Sequence, residues 1–145
     1  MRIISGKYKG KKIIQPIDKE TRPLKDLTKE SIFNIIKHSN LFRANIEKSN
    51  VLDIFSGVGS FGLECISRGA SHVIFCENYE KAISILKRNI SILKCKENST
   101  IINSNVFNKN NFSKINSKFE IIFIDPPFKE KNLHFIIDNI IELNL

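Results

Sequence analysis

The residues best suited to chemistry are Asp125, Pro126, Pro127 and Phe128, which directly follow the apolar run Ile121–Ile124. An exocyclic amine on a nucleobase is a poor nucleophile because its lone pair is delocalised into the ring. Asp125 and the carbonyl of Pro126 could accept its two hydrogens and favour a pyramidal nitrogen, while the two prolines stiffen the loop. Phe128 could stack on the base. This motif predicts group transfer to a base amine, with an ordinary strand-end turn as the alternative.

A glycine-rich turn stands earlier in the chain. The apolar run Val51–Phe55 stops at Gly57, Gly59 and Gly62, which match the spacing G-x-G-x-x-G. A strand, a tight turn and a helix beginning near Leu63 form the unit that holds nucleotide-like ligands in α/β proteins. Glycine permits unusual backbone dihedrals and close approach of a ligand. The spacing also fits an NAD-dependent oxidoreductase, although Asp53 and the Asp-Pro-Pro-Phe motif disfavour that reading.

Acidic and amide side chains at later strand ends add to the predicted nucleotide site. Glu77 ends the run Val73–Cys76 and comes about 20 residues after the first glycine, where a carboxylate can accept ribose hydroxyls. The alternative is a solvent-facing strand-end acid. Asn105 follows a third predicted strand and could bond an adenine amino group, or serve as a turn asparagine. The candidate cofactor-contacting residues are Asp53, Phe55, Ser56, Gly57, Gly59, Glu77, Asn78 and Asn105.

Positive charge is concentrated at the start of the chain. The 145 residues carry a net charge of +8. Residues 1–50 hold 12 Lys and Arg against 5 Asp and Glu, a net +7, whereas the remainder is nearly neutral. This asymmetry predicts a basic nucleic-acid-contacting extension, residues 1–45, joined to a catalytic domain, residues 46–145.

The N-terminal segment Arg2–Ile14 reads as a short hairpin with glycines at its bends, with a solvated tail as the alternative. Lysines can neutralise RNA phosphates and Tyr8 could stack on a base or sugar. A polar connector containing Arg22 follows, and Thr28 is expected to cap a helix over residues 29–39. The candidate RNA-binding residues are Arg2, Lys7, Tyr8, Lys9, Lys11, Lys12 and Arg22.

Strands alternate with amphipathic helices along the rest of the chain. Helices are predicted from Tyr79 to Leu93 and again near the end, where one apolar face would comprise Leu133, Ile136, Ile137, Ile140 and Ile141. This order predicts a mostly parallel sheet with helices on both faces. A fifth strand would be expected after Leu145, so the C-terminal strands of the domain are predicted to be missing.

Other site classes and compartments are disfavoured by composition. The three cysteines have no C-x-x-C pair and no histidine at metal-ligand spacing, which predicts reduced thiols and no metal site. No run approaches the roughly 18 apolar residues of a membrane span, and the N-terminus has no apolar signal segment. A cytoplasmic protein without membrane contact is therefore expected.

The glycine turn, Glu77 and Asp125–Phe128, in this order, resemble an S-adenosylmethionine-dependent amino-methyltransferase with a Rossmann-like fold. Over residues 1–128 the sequence further resembles the bacterial RsmD family, which methylates N2 of a guanine in small-subunit (16S) ribosomal RNA. The matching stretches are Arg2–Gly6, Lys9–Gly10, Thr21–Pro23, Lys29–Asn34, Asp53–Glu64 and Asp125–Phe128.

The resemblance implies S-adenosyl-L-methionine as cofactor and a catalytic role for Asp125–Phe128, and a monomer is expected. It also implies 16S ribosomal RNA as partner, within an assembly intermediate of the small subunit. Two alternatives remain open beside the oxidoreductase. Asp-Pro-Pro-aromatic motifs also serve adenine N6 in nucleic acids, and a chain lacking strands could be a non-catalytic RNA-binding remnant.

Overall fold

A computed structural model describes residues 1–16, 25–39, 45–108, 115 and 117–145. Helices and strands alternate up to the third strand, as the sequence predicts, and a short 3-10 helix, Lys96–Asn98, precedes that strand. In chain order the elements are α1 Asp26–His38, β1 Asn50–Ile54, α2 Ser60–Ser67, β2 His72–Glu77, α3 Glu80–Leu93, β3 Ser99–Asn103, β4 Ile121–Ile124 and α4 Leu133–Glu142.

The four strands form one sheet in the order β3-β2-β1-β4, and every neighbouring pair is parallel. Parallel neighbours require crossover connections, which α2 and α3 provide between the first three strands. Central strand β1 is buried from Val51 to Ile54, which explains its apolar composition. The predicted Rossmann-like α/β fold is confirmed, and the carboxyl ends of all four strands lie at one edge.

The N-terminal segment folds back on itself and packs on the body. An antiparallel bridge joins Arg2 to Lys12, and the Ile3 amide donates to the Lys11 carbonyl at 3.0 Å. Ile3 and Ile13 are buried in the same core cluster as α2 and α3 side chains. The hairpin is therefore confirmed, although only one bridge forms and turns make up the rest. The domain boundary between residues 45 and 46 stays a prediction.

Helix α1 begins earlier than its sequence suggests, so Thr28 as its capping residue is wrong. Lys25 has extended dihedrals, and its carbonyl accepts the first helical hydrogen bond from the Lys29 amide at 2.9 Å. Asp26 then occupies the first turn, where a negative charge is favourable beside the helix N-terminus. Thr28 thus lies inside the first turn.

The apolar face predicted for the last helix is only partly buried. Ile136 is fully buried under the sheet, whereas Ile137 and Ile141 are 48% and 70% exposed. Asn139 is buried in their place. The helical periodicity correctly identified the apolar side chains, but the packing of this helix against the sheet buries a narrower stripe than they form.

The remaining compositional expectations concern thiols, metals and membranes. Cys65, Cys76 and Cys95 are buried and unpaired, and burial raises the pKa of Cys76 to about 12. Across the described ranges, no cluster of three or more His, Cys, Asp or Glu side chains could hold a metal ion. No helix in those ranges has the length and apolarity required to cross a membrane.

Candidate active site

Three loops that the sequence places far apart meet at the carboxyl edge of the sheet. The glycine turn follows β1, Glu77 ends β2 beside it, and Asp125 follows β4 on the other side of β1. The Asp125 amide lies 3.4 Å from the carbonyl of Ile54, the last residue of β1. Parallel pairing brings these loops together because all the strands end at the same edge.

Glu77 holds the glycine turn in place. One carboxylate oxygen accepts the Gly57 amide at 2.8 Å, and the other accepts the amides of Asn78 and Tyr79, both at 2.9 Å. A carboxylate offers about four lone-pair positions, so roughly one remains for a ligand hydroxyl. Glu77 is half-buried, which contradicts the solvent-facing alternative. A ligand that needs two acceptors here must displace one of these amides.

Asp53 supports the start of α2 from inside the sheet. Its carboxyl group is buried and accepts the Gly62 amide at 3.0 Å, satisfying one of the N–H groups that a helix N-terminus leaves unpaired. Burial, with smaller contributions from Asp125 and Glu77, raises the pKa of Asp53 to about 8 although the Gly62 bond lowers it. Asp53 is therefore predominantly neutral near pH 7 in the folded chain.

We predict that Asp53→Asn removes a pH dependence of stability. The carboxyl is protonated in the folded chain up to about pH 8 but ionises from its ordinary value of 3.8 when unfolded. Wild-type stability should therefore fall as the pH rises between these values, by about 1.4 kcal/mol per unit. Urea unfolding at about pH 5 and about pH 7.5 measures the difference. Parallel pH profiles for the two proteins would contradict the neutral carboxyl.

Two glycines of the turn are required by packing. Gly59 has a φ of +85°, and a Cβ there would lie 2.4 Å from a Leu86 methyl group. A Cβ on Gly62 would lie 2.3 Å from the ring of Phe75 on β2. The sequence suggested that glycine was needed for ligand approach. At these two positions close contact of α2 with its neighbours is sufficient reason.

Aromatic side chains border a small cavity beside Glu77. Phe55 has the unusual φ of +61°, and its ring lies 5.9 Å from that of Phe107. The cavity between Phe55, Glu77 and Asn105 measures about 20 Å³. Asn105 accepts the Phe107 amide at 2.9 Å, the bond of a turn asparagine. Its adenine role stays a prediction, as does cofactor contact by the exposed Asn78.

The loop after β4 is largely exposed. Phe128 is 92% exposed, Asp125 and Pro127 are exposed, and Pro126 is half-buried. A large exposed aromatic ring next to a carboxylate is unusual for a soluble protein surface and suits a ligand that stacks. Asp125 directly follows β4 and so lies at the same sheet edge as Glu77.

The comparisons with known proteins agree with this arrangement. A family model described as Conserved hypothetical protein 95 matches residues 1–145. Ribosomal RNA small subunit methyltransferase D of Escherichia coli is 30% identical, with 96% of this chain and 68% of that protein aligned. The chain belongs to the RsmD family. Ribosomal RNA small subunit methyltransferase D of Buchnera aphidicola is 39% identical, with 89% of this chain and 62% of that protein aligned.

Solved structures support the same family fold. The Escherichia coli protein yhhF superposes with a TM-score of 0.75 at 29% identity, covering 98% of this chain and 72% of that chain. The chain thus spans about 62–72% of the length of these relatives. Family membership makes the chain a methyltransferase that uses a methyl donor.

The residues predicted from the basic hairpin and the connector after it have different environments. Lys7, Lys9, Lys11 and Lys12 are exposed, as is Arg2. Tyr8 is only 7% exposed and packs in the core, with the Lys7 and Lys11 ammonium groups 5.3 and 5.1 Å from its ring centre. This burial leaves little of the Tyr8 ring accessible and disfavours base stacking, so RNA contact by Tyr8 stays a prediction. Arg22 lies outside the described residues.

A buried ion pair within the family motifs was missed by sequence reasoning. Lys29 and Glu64 are fully buried, with 3.7 Å between the ammonium nitrogen and the carboxylate. Glu64 also accepts the amides of Ile4 and Ser5 at 2.8 and 2.9 Å, and Arg68 at 2.9 Å. This Glu64 clamp ties the hairpin and α1 to α2. Lys29 and Glu64 both lie in sequence stretches that match the RsmD family. That match was the signal in the sequence that could have drawn attention to them.

Proposed function

We propose that this chain transfers a methyl group from S-adenosyl-L-methionine to the N2 amine of a guanine in 16S ribosomal RNA. The observation that carries the proposal is the meeting of Asp125–Phe128 with the glycine turn and Glu77 at one sheet edge. Relatives named for small-subunit ribosomal RNA methylation add the RNA class.

The residues at the glycine turn fit the proposed cofactor. Ser56 has a buried hydroxyl with no hydrogen-bond partner among the described residues, and Glu77 retains an unused acceptor position. Such groups suit the hydroxyl and amino groups of a nucleoside with an amino-acid tail. In this proposal, Phe55 and Asn105 border the part of the cofactor site that holds the adenine ring. When bound, the cofactor supplies an electrophilic methyl group on a positively charged sulfur.

The loop after β4 positions and activates the amine. The Asp125 carboxylate and the Pro126 carbonyl accept the two amine hydrogens, so the nitrogen lone pair turns out of conjugation with the ring. Two prolines hold these acceptors before the substrate arrives, so little reorganisation is needed during reaction. Phe128 stacks on the base once the nucleotide is turned out of its helix. Correct positioning of amine and methyl group supplies most of the rate.

The substrate surface extends from the exposed hairpin lysines towards this loop. Lys7, Lys9, Lys11 and Lys12, with Arg2, neutralise backbone phosphates in this proposal, and the Glu64 clamp keeps their hairpin seated on α2. Arg22 adds a further phosphate contact. The substrate is the RNA of a small-subunit assembly intermediate, and the protein acts as a monomer.

Product analysis tests the proposal directly. The purified chain is incubated with isotope-labelled S-adenosyl-L-methionine and small-subunit RNA or particles that lack the modification. We expect labelled N2-methylguanosine after digestion to nucleosides. Labelled N6-methyladenosine would support the adenine alternative, and binding of NADH instead of the methyl donor would support an oxidoreductase. RNA binding without transfer would identify a non-catalytic protein.

We predict that Glu77→Ala weakens binding of S-adenosyl-L-methionine by roughly 1.5–3 kcal/mol, about 10- to 150-fold. The variant removes the acceptor for a ribose hydroxyl and also releases the Gly57 amide. Isothermal titration measures the affinity, and Glu77→Gln serves as the matched control because it keeps the length and one acceptor oxygen. Unchanged affinity in the alanine variant would exclude Glu77 from the cofactor site.

A further inference from the structure

A second concave surface lies between the hairpin and the C-terminal end of α3. This distal groove has a volume of about 610 Å³ and is lined by Lys7 and Tyr8 on one side and by Lys87, Lys94, Lys96 and Glu97 on the other. A volume of this size exceeds what one small ion requires and falls in the range of ligand-binding clefts.

The distal groove is remote from the methyl-transfer edge. Helix α3 starts at Glu80, three residues after Glu77, and runs for 14 residues to Leu93, directly before Lys94. At about 1.5 Å per residue the helix spans roughly 21 Å. Strand β3 begins beside the groove at Ser99, which pairs with Val73 near the start of β2. The groove therefore lies at the amino edge of the sheet, opposite the candidate active site.

The charges in the distal groove are strongly unbalanced. Four lysines face a single acid, Glu97, and all five side chains belong to exposed residues. The dipole of α3 favours a cation only near the last turn of the helix. It could therefore explain the presence of Lys94 but not that of the other three lysines. Lys7 comes from the hairpin and Lys96 from the 3-10 helix, so two further elements bring cations to the same concavity. Mutual repulsion among them is relieved by a polyanion.

We propose that the distal groove binds backbone phosphates of the RNA substrate, as an anchor at the opposite edge of the sheet from the reacting base. The inference rests on the proposed function for its choice of polyanion. Lys7 is shared between the groove and the exposed hairpin lysines, so the basic surface continues from one to the other. Only an RNA long enough to reach both places gains from the groove. Short oligonucleotides carrying the target base use the active-site edge alone.

The test compares two triple variants with the same change of net charge. The groove variant is Lys87→Ala, Lys94→Ala and Lys96→Ala in the full chain. The matched control is Lys37→Ala, Lys81→Ala and Lys118→Ala, three exposed lysines outside the groove lining. Thermal unfolding verifies that both variants fold. Filter binding across a salt series is measured with a structured small-subunit RNA fragment and with a short oligonucleotide.

For the long RNA, the groove variant should lower the log–log salt slope by about 2 to 3, since each phosphate contact contributes about 0.7–0.9. The control variant should change this slope by less than the contribution of one phosphate contact. Neither variant should change the slope for the short oligonucleotide. Glu97→Gln should strengthen binding of the long RNA. Equal slopes for groove variant and control would overturn the proposal, as would an equal loss for long and short RNA.

The outcome is independent of whether the chain methylates its substrate. A wild-type protein that transfers no methyl group but shows the groove-dependent slope would refute the proposed function and support the anchor. A wild-type protein that methylates RNA, with a groove variant that binds like the control, would refute the anchor alone.

Discussion

Asp125→Ala is expected to reduce methyl transfer by about 100-fold or more, because it removes a fixed acceptor from the place where positive charge develops on the amine. Asp125 follows β4 at the same sheet edge as Glu77. Single-turnover transfer of labelled methyl groups to saturating RNA measures the loss without contributions from product release.

Two controls separate this loss from indirect effects. Affinity for S-adenosyl-L-methionine should stay within several-fold, because Asp125 is assigned to the amine. Asp125 is exposed, so thermal stability should change little. Asp125→Asn keeps one acceptor oxygen without the charge and should transfer at an intermediate rate. Near wild-type turnover of the purified alanine variant would remove Asp125 from the reaction.

Glu64→Ala is expected to lower the free energy of unfolding by about 3–5 kcal/mol, the usual effect of leaving a buried charge without its partner. The Lys29 ammonium group would keep the Arg2 carbonyl at 2.7 Å and the more exposed Asp26 carboxylate at 4.0 Å, but would lose its buried carboxylate partner. The amides of Ile4 and Ser5 would lose their acceptors as well. Urea unfolding at constant pH measures the change.

The pH dependence of this variant identifies the cause. Burial lowers the pKa of Lys29 from 10.5, and the attraction of Glu64 opposes that effect. The folded wild-type chain already holds the Lys29 proton less tightly than the unfolded chain, and loss of Glu64 increases this difference, so stability should rise with pH towards 10.5 over a wider range in the variant. Adding Lys29→Met to Glu64→Ala should recover part of the loss, since the unpaired charge disappears. A loss that is independent of pH and unaffected by Lys29→Met would contradict the ion-pair explanation.

The Glu64 clamp also connects stability to the proposed RNA surface. Glu64 on α2 accepts two hairpin amides, and Ser67 on the same helix accepts the Tyr8 amide at 2.9 Å. The hairpin therefore sits on the helix that begins at the glycine turn. Lysines on this hairpin have a defined position relative to the sheet edge, which suits recognition of a structured RNA.

The sequence by itself determined the fold class and the place of the candidate site. Apolar runs that end in Gly57, Glu77 and Asp125 identify three parallel strands, and parallel strands end at a common edge. Turn chemistry and hydrophobic periodicity are local properties, so they can be read from neighbouring residues. The hairpin and the position of α3 followed from the same local patterns.

Only the tertiary structure decided which distant residues contact each other and which side chains are buried. Glu64 meets Ile4 and Lys29 because the hairpin and α1 pack on α2, a pairing that no local pattern encodes. Tyr8 is buried, and Ile137 and Ile141 are exposed, because burial depends on which neighbouring surfaces cover a side chain. Residues separated by about 60 positions come into contact only through the packing of whole elements, and that packing also created the distal groove.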